Sequence, residues 1–166
     1  MLHKITAQHI VLGLGGFVLL LGLFFFIAQL FYTKKDTHFR YRSLSELTQK
    51  IIEVDGDQFT VFASDTPELR QLGLSHVERL GAREGMIFVF DEPGTYGFWM
   101  KDMFFDLDII WLDADGRIVH IYENITPETY PTVFRPLIPA LYVLEFPAGW
   151  VREYGLAAGD VISILE

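Results

Sequence analysis

The apolar positions of this chain follow two different patterns. From Ile10 to Tyr32 they form a run without charge, in which Gln29 is the only strongly polar residue. From Ile51 onward, short apolar stretches alternate with turn sequences, a pattern typical of β-strands. The first pattern is long enough for a helix that crosses a bilayer, which needs roughly 20 apolar residues. The second predicts a separate, β-rich domain.

The amino-terminal run therefore predicts a membrane anchor over residues 1–35. A cleaved signal peptide is the alternative, but its apolar region is normally about 7–15 residues and ends in small residues, whereas this run ends in Leu30-Phe31-Tyr32. Residues 36–50 are predicted to be a linker. In it Ser43 and Glu46 fit a helix capping box, and a polar tether fits equally well. Lys34 and Lys35 follow the run, which by the positive-inside rule favours a cytoplasmic carboxyl-terminal part.

Residues 51–166 are predicted to form the globular domain. Asp55-Gly56 between two apolar runs predicts a hairpin, and Thr66-Pro67 followed by Gly73 predicts a short capped helix. A second short helix is predicted over 148–154. Strands are predicted over 51–54, 58–63, 85–90, 96–101, 107–112, 117–122, 141–146 and 161–165. The expected fold class is α+β and β-rich: a small, partly closed, barrel-like antiparallel or mixed sheet with two short helices, preceded by one transmembrane helix.

The amino-acid composition limits the kinds of partner and cofactor that the chain can bind. The net charge of -9 and the scattered thirteen lysines and arginines argue against nucleic acid, which requires clustered positive charge. The chain has no cysteine, which excludes a disulfide, a thiolate metal site and a cysteine nucleophile. Its five histidines do not pair at ligand spacing, and no nucleotide-binding or nucleophile-elbow motif is present. We therefore expect neither a metal nor a cofactor.

The candidate functional residues are the charged residues that lie within the predicted apolar strands. Alternation along a strand puts Trp99 and Lys101 on one face of the predicted strand 96–101, and places Asp108 and Glu145 on apolar strand faces. Because an unpaired buried charge is costly, Lys101, Asp108 and Glu145 are expected either to stand at strand ends near solvent or to meet in one polar cluster, and the cluster is the favoured arrangement. Two interpretations stay open: a structural clamp that fixes strand register, or the floor of a binding pocket under Trp99.

Two pairs of carboxylates in the sequence are also compatible with a catalytic function. Asp108 with Glu145, or Asp102 with Asp106, matches the two-carboxylate arrangement of glycosidases, although their separation is not given by the sequence. Asp102, Asp106 and Asp108 do not have the spacing of an EF-hand calcium loop. No residue is assigned as catalytic from these patterns.

A series of motifs between Gln58 and Leu165 resembles one bacterial and archaeal family. They are A-S-D-T-P-E-L-R-Q-L-G-L, E-G-M-I-F-V-F, F-W-M-K-D-M, L-D-I-I-W-L-D-A-D-G-R-I-V, E-N-I-T-P, Y-V-L-E-F-P-A-G-W and G-D-V-I, in this order. The family is known as domain of unknown function 192. The resemblance implies a small β-rich domain, often behind an export signal or lipid anchor, and implies no activity. Members usually have Asn where Asp102 stands and Pro where Asp106 stands.

The function expected from the sequence is a membrane-tethered binding or interaction module of the cell envelope. It would contact the bilayer through residues 10–32. It would contact an envelope ligand or protein through the Trp99 face and through the proline-rich loop that contains Pro127, Pro131, Pro136 and Pro139. Because members of this family often follow an export signal or lipid anchor, the domain is expected outside the cytoplasm, although Lys34 and Lys35 favour the cytoplasmic side. The alternative is a carboxylate-dependent hydrolase of an envelope polymer, and a purely structural role stays open.

Overall fold

One seven-stranded mixed sheet carries the domain in the computed structural model, which describes residues 43–165. The strand order is β5-β4-β6-β3-β2-β1-β7, and every neighbouring pair is antiparallel except β2 with β3. The strands are β1 (Gln49–Val54), β2 (Asp57–Ser64), β3 (Glu84–Gly94), β4 (Leu107–Leu112), β5 (Ile118–Ile125), β6 (Ala140–Pro147) and β7 (Ser163–Leu165). The helices are α1 (Pro67–Leu72) and α2 (Trp150–Glu153).

Local sequence signals explain the first half of this order. Asp55 and Gly56 both have positive φ, 52° and 87°, as a tight turn of the predicted kind requires, and they join β1 to β2. Helix α1 then begins at the predicted cap, where the Thr66 hydroxyl accepts a hydrogen bond from the Leu69 N–H at 3.2 Å. This helix lies in the crossover that returns the chain to a parallel β3.

Both faces of the sheet are buried, and β4 is buried along its whole length. On one face Ile110, Leu144 and Phe146 pack with the residues of α2; we call this the α2 face. Phe146 stacks on Trp150 with ring centroids 3.9 Å apart. The opposite face, which we call the pocket face, has its own apolar cluster, in which the cross-sheet residues are Met86, Phe88, Ile109, Trp111 and Val143.

The sheet is open, so the predicted partial closure into a barrel is wrong. Strands β5 and β7 are its two edges, and the segments at these edges meet only through the single bridge between Arg117 and Val161 and neighbouring backbone hydrogen bonds. Strand β7 has three residues and pairs with β1, which leaves too little backbone to form a continuous ladder across the gap.

The predicted strand over 96–101 is also wrong, although its alternation of buried and exposed residues is correct. Phe98 and Met100 are buried while Trp99 and Lys101 are exposed. The segment forms no ladder beyond one bridge between Phe98 and Phe134, because it crosses the pocket face as a cover and the indole N–H of Trp111 donates to its Tyr96 carbonyl. We call residues 95–106 the covering segment.

The amino-terminal predictions fall mostly outside the described residues. Ser43 caps a single 3-10 turn, Leu44–Glu46, by accepting from the Ser45 N–H, and β1 follows three residues later. Within residues 43–165 no helix is long and apolar enough to cross a membrane. The predicted anchor and most of the predicted linker belong to the part of the chain that the structure does not describe.

Candidate functional site

Asp108 is fully buried on the α2 face, where its carboxylate is saturated by backbone donors. One oxygen accepts from the Asn124 N–H at 2.8 Å, and the other accepts from Gly149 and Val151 at 3.0 and 2.9 Å. These three bonds tie β4 to the end of β5 and to the start of α2. The carboxylate therefore has a structural role and has no open side toward a ligand.

Glu145 is buried on the pocket face in a very different environment. Its side chain is 4% exposed, and its sheet neighbours Met86 and Ile109 are apolar and fully buried. Among the described residues, no hydrogen bond or ion pair of the Glu145 side chain is found. Burial raises the pKa of Glu145 to about 8, so the carboxyl group is mostly protonated at neutral pH.

The three-residue cluster predicted from the sequence does not form. In the register of β4 and β6, Asp108 lies opposite Phe146 and Glu145 lies opposite Ile109, so the two acids point to opposite faces of the sheet. Lys101 is exposed on the covering segment, and neither of the ion pairs found within residues 43–165 includes it. The structural clamp is thus a wrong prediction.

Trp99 and Glu145, by contrast, line the same cavity. Its volume is about 350 Å³, and it lies between the covering segment, the end of α1 and the pocket face of the sheet. Trp99 is 47% exposed at its wall, whereas Glu145 is buried, so the cavity leads from solvent to a buried carboxyl. A volume of this size is in the range of small-molecule sites, about 300–1,000 Å³.

Aromatic rings form much of the cavity wall. The Phe90 and Tyr96 rings stack with centroids 3.5 Å apart, and Phe98 packs edge-on against Phe88 at 4.7 Å. Besides these, the lining includes Leu72, Leu74, Met103, Ser75 and Arg70. These residues come from four separate stretches of chain, which is why the sequence did not single out Phe88, Phe90, Tyr96, Phe98 or Arg70 as site residues.

Arg70 provides the positive charge of the lining, and it is already held by the protein. One guanidinium nitrogen donates to the carbonyls of Val89 and Asp65 at 2.7 and 2.8 Å, and the guanidinium carbon lies 5.1 Å from the centre of the Phe90 ring. The side chain therefore braces α1 against the end of β3 and fixes one wall of the cavity.

Two residues in left-handed backbone conformations join the loops beside the cavity. His76 and Asp102 have φ of 63° and 56°, and the His76 N–H donates to the Asp102 carbonyl at 2.9 Å. Next to them the Ser75 hydroxyl donates to the Lys101 carbonyl at 2.9 Å. Non-glycine residues with positive φ are uncommon and concentrate at functional sites. Here they hold the covering segment to the loop after α1.

The remaining candidate acids do not assemble a second site. Asp102 is exposed, with its carboxylate 3.8 Å from His76 Nε2, and Asp106 is exposed outside the cavity lining. Within the part of the chain that the structure describes, no group of three or more histidine or acidic side chains could hold a metal ion.

The comparison with known proteins agrees with this fold. The family model DUF192, described as "Uncharacterized ACR", matches residues 50–164, which is most of the chain. The chain belongs to the DUF192 family. Its matched region contains every strand from β2 to β6, both helices and all residues that line the cavity.

Among DUF192 relatives, a UPF0127 protein of Thermococcus kodakarensis is 28% identical over 100 residues. The match covers 60% of this chain and 61% of the relative, less than two thirds of its length. A crystal structure from Sinorhizobium meliloti, described provisionally as that of a transcription regulator, has 28% identity and a TM-score of 0.67. It covers 71% of this chain and 95% of its own.

A second crystal structure, from Novosphingobium aromaticivorans, is a protein of unknown function. It is 27% identical with a TM-score of 0.65, and the match covers 75% of this chain and 91% of the other. The DUF192 fold is thus shared with solved proteins, and no established activity comes with it.

Proposed function

We propose that this protein is a membrane-tethered binding module of the cell envelope, and that its binding site is the cavity between Trp99 and Glu145. The observation that carries the proposal is the buried Glu145 carboxyl, which lines a cavity open to solvent and has no protein partner among residues 43–165. Burial of an unpartnered carboxyl destabilises a fold. A ligand that satisfies the carboxyl would offset this cost.

The composition of the cavity supports small-molecule binding. Binding sites are mostly apolar and aromatic, with a few polar groups that fix the orientation of the ligand. Here Phe98 and Trp99 provide apolar contact area, and Glu145 provides one polar group at depth. The loops that hold the covering segment keep this wall in place before any ligand arrives.

The proline-rich loop extends the proposed binding face beside the cavity. Phe134 pairs with Phe98 through two backbone hydrogen bonds of 2.8 and 2.9 Å, and Arg135 donates to the Thr95 carbonyl at 2.9 Å. Leu137 is 84% exposed next to them in sequence. This loop is the surface that we propose for a larger envelope partner.

Hydrolysis receives less support than binding. A two-carboxylate mechanism requires a second acid about 5–10 Å from the first, and Asp108 lies on the other face with both oxygens occupied. Of the described residues that line the cavity, Glu145 is the only acid. A single carboxyl is suited to donating one hydrogen bond when it is protonated, or to pairing with one cation when it is ionised.

Tethering to the bilayer is the part of the proposal that comes from the sequence. The uncharged run Ile10–Tyr32 and the export habit implied by the family support an anchor and an extracytoplasmic domain. The relative described as a transcription regulator suggests DNA instead, but the net charge of -9 and the scattered basic residues disfavour a phosphate-binding surface.

A ligand-observed NMR screen of a small-molecule library tests the binding site. The full-length protein, purified in detergent, is compared with Trp99→Ala and with Phe104→Ala, an exposed aromatic residue of the covering segment that does not line the cavity. We expect compounds whose binding is lost in Trp99→Ala and kept in Phe104→Ala. Absence of binders, or equal binding to both variants, would contradict the proposal.

A further inference from the structure

We propose that the cavity binds the ammonium end of a small organic amine, which pairs with the Glu145 carboxylate and packs against the aromatic rings of the wall. This inference rests on the proposed function and names its ligand class. The Glu145 carboxyl has apolar neighbours on both adjacent strands, and among residues 43–165 no cation or hydrogen-bond donor is bonded to it.

The elements packed around Glu145 are apolar on every side that faces it. Strand β3 presents Met86 and Phe88, and β4 presents Ile109. In β6 itself, Val143 lies two residues before Glu145 on the same face. The segments that cover this face contribute apolar residues to the same cluster, among them Leu74, Phe98, Met100 and Met103. Among residues 43–165, the cation that would normally accompany a buried carboxylate is therefore not found beside Glu145.

The other charged and titratable groups described in this region either donate to backbone carbonyls or lie outside the cavity. Arg70 lines the cavity, where one of its guanidinium nitrogens donates to the carbonyls of Val89 and Asp65, and within residues 43–165 it has no bond to Glu145. The Tyr96 hydroxyl donates to the Glu92 carbonyl at 2.6 Å. His76, Lys101 and Asp102 are exposed and do not line the cavity. A cationic ligand is thus the partner whose charge complements Glu145.

Aromatic walls favour a cation over a neutral group. Ring faces attract a cation within about 6 Å of their centroid, and aromatic cages are a known surrounding of bound quaternary ammonium and methyl-lysine groups. Five aromatic residues line this cavity: Phe88, Phe90, Tyr96, Phe98 and Trp99. A neutral acceptor would use only the proton of Glu145. The net charge of -9 also raises the concentration of cations near the surface.

Binding is coupled to a proton in this scheme. The free carboxyl holds its proton at neutral pH, as its raised pKa of about 8 indicates. When an alkylammonium ion pairs with it, the O–H bond of Glu145 breaks, the proton leaves to solvent, and the carboxylate accepts hydrogen bonds from the ammonium N–H groups. Because the ionised fraction of a carboxyl falls about tenfold for each pH unit below its pKa, the affinity should rise by about tenfold per pH unit, and by roughly a hundredfold from pH 5.5 to 7.5.

Isothermal titration calorimetry of the full-length protein tests the inference with three probes of equal length: butylammonium, the neutral butanamide and the anionic butyrate. Measurements at pH 7 in phosphate and in the zwitterionic buffer MOPS, which differ in ionisation enthalpy and contain no primary ammonium group, give the number of protons exchanged. We expect butylammonium to bind with release of close to one proton, and Glu145→Gln to lose at least tenfold in affinity. Trp99→Leu should weaken butylammonium more than butanamide, and Phe104→Ala should bind as the natural protein does.

Other results separate the two proposals. If butanamide or butyrate binds better than butylammonium, without proton release and equally in Glu145→Gln, the amine inference is overturned while the binding site stands. If no probe binds but the NMR screen finds ligands that depend on Trp99, the amine inference fails alone. If neither experiment finds a ligand that depends on Trp99, the proposed function fails as well.

Discussion

Asp108 and Glu145 lie one register step apart on the adjacent strands β4 and β6, and their side chains point to opposite faces of the sheet. The acid on the α2 face is bound by three backbone N–H groups, and the acid on the pocket face has no protein partner among the described residues. The two carboxyl groups therefore have different consequences for stability, and each can be tested by itself.

Replacement of the titratable Glu145 carboxyl by an amide should change how stability depends on pH. The folded state keeps the proton up to about pH 8, whereas the unfolded chain releases it near the ordinary value of 4.5. Stability that depends on this proton is therefore complete below pH 4.5 and is lost as the pH rises toward 8. We expect Glu145→Gln to match the natural protein near pH 4 and to exceed it increasingly above, by roughly 1 kcal/mol per pH unit.

Urea denaturation at several pH values measures this difference. Glu123→Gln, an exposed change in β5, is the matched control and should leave the pH profile unchanged. If the free energy of unfolding depends on pH in the same way for the natural protein and Glu145→Gln, then the Glu145 carboxyl is either exposed or paired in the folded protein.

Asp108→Asn should destabilise the domain at every pH near neutrality. An amide offers one oxygen in place of two, so an N–H group of either Asn124 or the Gly149–Val151 turn loses its acceptor. We expect a loss of about 1–3 kcal/mol in the free energy of unfolding, the usual cost of an unsatisfied buried donor. Asp106→Asn, exposed two residues earlier, should change it by less than about 0.5 kcal/mol. Equal effects of the two changes in urea denaturation would argue against a structural role for Asp108.

Lys101→Met distinguishes the observed arrangement from the clamp expected from the sequence. Lys101 is exposed, and its carbonyl, which accepts from the Ser75 hydroxyl, is kept in the variant. The free energy of unfolding should change by less than about 0.5 kcal/mol. A loss of about 3–5 kcal/mol, the cost of removing one partner of a buried ion pair, would instead support the clamp predicted from the sequence.

The anchor can be tested on membranes. The full-length protein should stay in the membrane fraction after an alkaline carbonate wash, and protease added to intact cells should cut the domain. Leu19→Lys together with Leu20→Lys places two charges in the middle of the run, at an insertion cost of about 2.5–3.5 kcal/mol each, and should release the protein. Release of the intact natural chain would contradict the anchor, and full protection from protease would place the domain on the cytoplasmic side.

The local elements of this fold could be predicted because their causes are local. The Asp55-Gly56 turn and the Thr66 cap depend on backbone preferences of a few consecutive residues, and both are confirmed. Apolar runs such as 107–112 are buried strands because no other placement removes their side chains from water. The burial of Phe98 and Met100 beside exposed Trp99 and Lys101 follows from the same alternation.

Only the tertiary structure decided which side chains meet. Alternation assigns a residue to one of two faces, but the register between β4 and β6 decides whether Asp108 and Glu145 share a face, and register depends on contacts between distant segments. The same holds for the cavity, whose wall brings together Arg70, Phe88, Trp99 and Glu145 from four stretches of chain. The sequence therefore determined that Glu145 lies in an apolar strand, and the packing of the covering segment over the sheet decided that a cavity reaches its carboxyl.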